Sequence, residues 1–145
     1  MKAIAELEQE QAPEVTNNYN RDTIIRMEEG LIGFSGCKDF VLMAKPEIAP
    51  FQMLKCANAS DISFVVLNPK LLVPNFYDLV PDREWESIGI TDRQRRLAFA
   101  ITIIGRTPRE GSANLQAPLL MNYEAMIARQ VILTDSGFSF RHPLI

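Results

Sequence analysis

One histidine, two cysteines and a few clusters of charge are all this chain offers for reaction chemistry. Any Ser-His-Asp arrangement would have to use His142, yet no G-x-S-x-G elbow or comparable turn presents it with a nucleophile. Its place beside Pro143, near the last residue, points to a structural role in which the ring hydrogen-bonds backbone and pins the end of the chain. Cys37 and Cys56 form no C-x-x-C and have no histidine close by, so neither zinc nor a disulfide framework is expected. Both read as small buried hydrophobes. The neighbouring carboxylates Glu28-Glu29 and Glu84/Glu86 read as solvated surface, and no cluster has metal-ligand spacing. No metal and no cofactor are therefore expected. Arg93, Arg95 and Arg96 could touch phosphate, but Glu84, Glu86 and Asp92 lie near enough in sequence to neutralise them. The inventory argues against an enzyme and for a binding protein.

Two stretches have the make-up of a partner surface. In Phe76-Tyr77-Asp78 two aromatic rings and an acid sit in a proline-bounded segment. Interface cores favour such rings, and a restrained loop would hold them at little entropic cost. Core packing of the same rings is an equal alternative. The second stretch is Ser112 to Asn122. Its odd positions, Ala113, Leu115, Ala117, Leu119 and Met121, are apolar; Ser112, Asn114, Gln116 and Asn122 are polar. Period 2 makes this a strand with one buried face, and its small-large alternation suits the wall of a tightly curved sheet. Pro118 cannot donate to a ladder, so the strand should be an edge or carry a bulge there. Asn114 and Gln116 then form a polar row, available to a partner or simply wet.

The elements that must position these residues follow from the rest of the chain. At 145 residues, with 47% hydrophobic and 23% charged, it has the length and balance of one globular domain. No apolar run approaches membrane-spanning length and the start lacks a secretory pattern, so a cytoplasmic location is expected. Of 18 acids and 15 bases, Glu6, Glu8, Glu10, Glu14 and Lys2 fall in residues 1–20, leaving a neutral body. A neutral body lacks the field that nucleic acid requires. Residues 1–20 read as an acidic arm that the fold can spare, and residues 21–145 as the β domain. Strands are expected over 23–27, 39–44, 62–67, 97–104, 112–122, 130–134 and 138–141, with a further strand or turn over 51–56. A short helix over 83–88, stopped by Gly89, should bury Trp85 and Ile88 together. Leu31, Ile32 and Phe34, between Gly30, Gly33 and Gly36, should plug the core. The sum is a mostly β, small antiparallel barrel-like single domain with one or two short helices.

Several segments resemble the flagellar assembly factor FliW family: Glu29-Gly30-Leu31-Ile32-Gly33-Phe34, Pro50-Phe51-Gln52, Phe64-Val65-Val66-Leu67-Asn68-Pro69, Ala113-Asn114-Leu115-Gln116-Ala117-Pro118 and Arg141-His142-Pro143-Leu144. Their order and spacing extend the resemblance over residues 22–145. It implies a cytoplasmic, non-enzymatic barrel that binds flagellin and antagonises CsrA, a small RNA-binding repressor of flagellin translation. Partner exchange would then link flagellin export to flagellin translation, without direct contact to nucleic acid or membrane. Under this reading Phe76, Tyr77, Asp78, Asn114 and Gln116 are the expected partner-binding residues. The alternative is a small β-barrel that binds nucleic acid or a small ligand.

Overall fold

A computed structural model describes residues 23–145 except Ser60; the arm expected over 1–20 lies outside them. Nine strands form among the described residues: β1 (Ile24–Arg26), β2 (Asp39–Ala44), β3 (Gln52–Cys56), β4 (Ser63–Leu67), β5 (Ala98–Ile103), β6 (Ser112–Ala113), β7 (Leu119–Asn122), β8 (Ile127–Gln130) and β9 (His142–Pro143). Two short helices, α1 (Phe76–Leu79) and α2 (Asp82–Glu86), lie between β4 and β5. The strands run β4-β3-β2-β1-β8-β7-β5, and β5 pairs back onto β4, closing a barrel. β6 and then β9 extend β5 beyond the ring.

One joint of the ring differs from the rest. β1 and β8 are parallel and meet through a single register pair, Arg26↔Ile127. Stitches around it hold the joint: Arg26 N–H donates to the Met126 carbonyl (2.9 Å), Ile32 N–H to Gln130 Oε1 (2.8 Å), and Arg129 pairs with Glu29 (3.5 Å).

The pleat sends alternate side chains inward and outward. Inward go Ile25, Phe40, Leu54, Val66, Phe99, Leu119 and Met121, which form the barrel core. The interior void among them is about 10 Å³, roughly one water's worth, so the barrel is filled rather than ligand-binding. Outward from β5, β6 and β7 go Ala98, Ala100, Ala113 and Leu120, and the three alanines let Phe76, Val80, Trp85 and Ile88 pack as a second core outside the barrel. The helical segment thus covers a sheet face. Trp85 and Ile88 are buried together as their spacing requires, and Gly89 (φ +82°) follows the helix in the left-handed region.

Four expectations need correction. Cys37 and Cys56 are buried as expected, but they are joined in a disulfide with Cα atoms 6.2 Å apart; spacing in sequence could not show that the β2–β3 register brings Cys56 opposite Phe40, beside the segment entering β2. The stretch 112–122 is not one strand. It divides into β6 and β7 around a bend at Gln116–Ala117, which rotates the later residues so that Ala113 and Leu115 face the outer core while Leu119 and Met121 face the barrel interior. All five odd positions are buried all the same. Of the expected core plug only Leu31 is buried; Ile32 and Phe34 are 60% and 44% exposed, because Gly30 and Gly33 (φ +65° and +86°) turn the chain back at once. Finally, the last strands fall at 127–130 and 142–143 rather than 130–134 and 138–141, Asp135 and Gly137 (φ +57° and +80°) making the turn between them.

Candidate functional site

Tyr77 is the best-connected side chain of the proposed surface. It lies on α1, which starts after the 3-10 turn Pro69–Leu71 and the Asn75 cap. Its hydroxyl accepts from the Ala98 N–H (3.0 Å) and lies 3.0 Å from Asn68 Oδ1 and 3.3 Å from the Ala98 carbonyl, the two acceptors open to its proton. Trp85 stands edge-on to its ring with centroids 5.5 Å apart, and Trp85 Nε1 donates to the Tyr77 carbonyl (3.3 Å). Burial pushes the phenol pKa up from its ordinary value, while hydrogen bonding to Ala98 and Asn68 pulls part of the way back. Phe76 is fully buried against Phe138, centroids 4.9 Å apart, so it belongs to the outer core and not to a surface. Asp78 is exposed and pairs with Arg93 (3.3 Å). The segment is therefore a helix with one ring in the core, one half-buried and one acid in water.

The arginines are distributed among acids. Arg96 pairs with Asp82 (2.9 Å) and lies over the Trp85 ring, 5.3 Å from its centroid. Arg95 pairs with Asp92 and Glu124. These pairs neutralise the cluster, although Asp78, Asp82 and Glu124 rather than Glu84 and Glu86 supply most of the acids. At the opposite joint, the Arg26 guanidinium holds the Glu28 carboxyl below its ordinary value.

Asn114 serves the backbone. Its Oδ1 accepts from the Gln116 and Ala117 N–H groups (3.1 and 3.0 Å), which fixes the bend between β6 and β7. Gln116 is half-buried, with its carbonyl accepting from the Leu133 N–H (2.8 Å). Leu115 between them joins Phe76 in the outer core, so the two predicted stretches flank one core. His142 pairs through its backbone with Ala113 in the β6–β9 ladder, which ties this part of the chain to the sheet. Asn122, which the alternation marks only as a polar strand position, is a buried hub: Nδ2 donates to the Ile88 carbonyl (2.7 Å), and Oδ1 accepts from Glu124 and Ala125 N–H. Among the described residues, no three His, Cys, Asp or Glu side chains gather as a metal site, and no helix is long and apolar enough to cross a membrane.

The sequence did not announce the concavity. A groove of about 580 Å³ is lined by Pro50, Phe51, Leu67, Leu71, Leu144 and Ile145, with Arg106 and Thr107 at its rim. Leu71 and Ile145 are 60% and 79% exposed. Leu144 closes it: its N–H donates to the Gly111 carbonyl (3.2 Å), and a Cβ at Gly111 would lie 2.5 Å from Leu144 Cδ1. Glycine is what permits this approach. Only the motif residues Pro50, Phe51, Leu67 and Leu144 hinted at it, and they converge from three distant parts of the chain.

Comparison with known proteins matches the family model described as "FliW protein" to residues 8–144. The flagellar assembly factor FliW of Bdellovibrio bacteriovorus is 32% identical over 124 residues, 86% of this chain and 71% of that protein. That of Bacillus subtilis is 29% identical over 127 residues, 88% and 89% of the two chains. A crystal structure of the flagellar assembly factor FliW superposes with a TM-score of 0.79 at 30% identity, covering 88% of this chain and 89% of the other.

Proposed function

The chain belongs to the FliW family, and on that premise we propose that it is a cytoplasmic, non-enzymatic flagellar assembly factor that binds flagellin and, in exchange, a CsrA-type translational regulator. While flagellin is abundant it occupies the protein and the regulator represses flagellin translation; export of flagellin frees the protein to bind the regulator, and repression lifts.

The observation that carries this reading is the apolar groove built from motif residues of three segments. Its exposed Leu71 and Ile145 suit an apolar segment of a protein partner better than a small polar substrate. We place the docking surface shared by both partners here, since a shared surface makes the two complexes mutually exclusive. Tyr77, Asp78 and Gln116 remain as secondary contacts; Phe76 and Asn114 act through the fold. The ion-paired arginines and the filled barrel argue against nucleic-acid and lumen-ligand alternatives.

The test is calorimetric titration of the purified protein with flagellin and with a CsrA-type protein, singly and in competition. Binding of each, with loss of regulator binding once flagellin saturates, is expected. Leu71→Glu and Ile145→Glu should weaken both at least tenfold with an unchanged melting temperature. Simultaneous binding of both partners at full affinity would sink the exchange mechanism, and unaffected groove variants would sink the placement.

A further inference from the structure

Docking of a partner at the groove makes no use of the Cys37–Cys56 pair. These are the only cysteines of the chain, and they join the segment entering β2 to the end of β3. Two features set the pair apart from a permanent staple. One is access. Residues 32–36, immediately before Cys37, are all exposed, and Gly33 and Gly36 have open space where a side chain would begin. Cys56 sits in the β2–β3 ladder opposite Phe40. An outward movement of 32–36 therefore bares Cys37 Sγ while Cys56 stays held. The other is that the thiol form has a place to go: Cys37 Sγ lies 3.5 Å from the Asp39 carbonyl, which can accept an S–H once the bond is open. The loop that Cys37 anchors is a run of turns, with Cys37 N–H donating to the Phe34 carbonyl (3.2 Å) and Phe34 N–H to the Leu31 carbonyl (2.8 Å). On one side its Phe34 ring stands edge-on to Phe64, centroids 5.1 Å apart. On the other it stitches the ring joint, through Ile32 N–H to Gln130.

We propose that Cys37–Cys56 is a reversible thiol–disulfide switch, which locks this loop and its stitch to β8 when oxidised and frees both when reduced. The co-reactant is a low-molecular-weight thiol of the glutathione class. One such thiolate attacks Cys37 Sγ, forming a mixed disulfide and releasing Cys56 as a thiolate. A second attacks the small-molecule sulfur of that mixed disulfide and releases Cys37. Two small thiols thus supply two electrons and leave as their own disulfide, and the two protons they shed end on Cys56 and Cys37. Ile32 and Phe34, both exposed, ride on the loop, so the oxidation state sets how rigidly this apolar pair is presented. The physiological use rests on the cytoplasmic location proposed above, where disulfides are mostly transient or sensing; the couple itself is tested on the purified protein with no partner present.

The full chain is equilibrated across a series of reduced-to-oxidised glutathione ratios, alkylated and weighed by mass spectrometry. The pair should pass from disulfide to dithiol within the series. A pair oxidised at every ratio is a permanent staple, and one reduced at every ratio forms no bond; either result overturns the switch. Hydrogen exchange then reads the coupling. On reduction the Ile32, Phe34 and Cys37 amides should exchange at least tenfold faster, and still faster than the β3 amides, which marks local opening and not global unfolding. A Cys37→Ser, Cys56→Ser variant should match the reduced protein and ignore the glutathione ratio. A smaller change at the three loop amides, or rates that merge with those of β3, would overturn the coupling of the pair to the loop.

Discussion

The Tyr77 hydroxyl separates a structural role from a recognition role. Tyr77→Phe keeps the ring, its edge-on contact with Trp85 and the helix, and removes one oxygen. That oxygen is the acceptor for the Ala98 N–H, and Ala98 is fully buried at the start of β5. An orphaned buried N–H costs about 1–3 kcal/mol. A central value of ~2 kcal/mol corresponds to a melting-temperature drop of roughly 8 °C for a domain of this size. Urea denaturation should show the midpoint falling with an unchanged slope, which marks a loss of stability and not of compactness. Affinities for flagellin and the regulator should hold within about twofold below the transition. A Tyr77→Phe protein within ~0.5 kcal/mol of wild type would refute the argument that this hydroxyl anchors α1 to the barrel.

Three further outcomes follow from the same packing. Leu115→Asp places a carboxylate in the outer core at a fully buried position and should cost more than about 4 kcal/mol, read as loss of the cooperative unfolding transition. Opening the Cys37–Cys56 disulfide, which closes a loop of 19 residues, should cost about 3 kcal/mol on the chain-entropy model, seen as a lower urea midpoint in dithiothreitol than in oxidised buffer. Stability should also fall in alkali: the Tyr77 phenol titrates above its ordinary value of 10.0 in the folded state, so its contribution is complete below pH 10 and is lost as pH rises through the raised folded-state value. A pH series of urea midpoints checks this, and Tyr77→Phe should flatten the alkaline limb.

The parts of the fold that could be read from sequence are those set by local period. Asp39–Ala44, the deep β4 run and the Trp85/Ile88 face all lie where their patterns put them, because each buries apolar surface on a face its own spacing defines. The misreadings share another cause. At Asn114 a side chain caps two backbone N–H groups and breaks an alternating run that pattern alone extends to Asn122. At Gly30 and Gly33 positive φ reverses the chain, sending Ile32 and Phe34 to the surface. The disulfide and the groove depend on which strands become neighbours, a tertiary fact. The candidate residues were legible as types, but Phe76 and Tyr77 share a tripeptide and differ in burial because a one-turn helix points them to different neighbours.

The single parallel pair at Arg26↔Ile127 has a consequence for how this molecule should assemble. β2, β3 and β4 are joined by short connections and can zip as a local meander, as can β7 with β8. Closing the ring instead joins positions about a hundred residues apart, an expensive loop to close before its contacts reward it. That joint is therefore expected to form after the folding barrier, and substitutions at Arg26 or Gln130 should accelerate unfolding and leave the folding rate nearly unchanged, as a denaturant series of folding and unfolding rates would show. The same joint should be where the native barrel first opens, so amide exchange at Arg26 and Ile32 is expected to outpace that in β3.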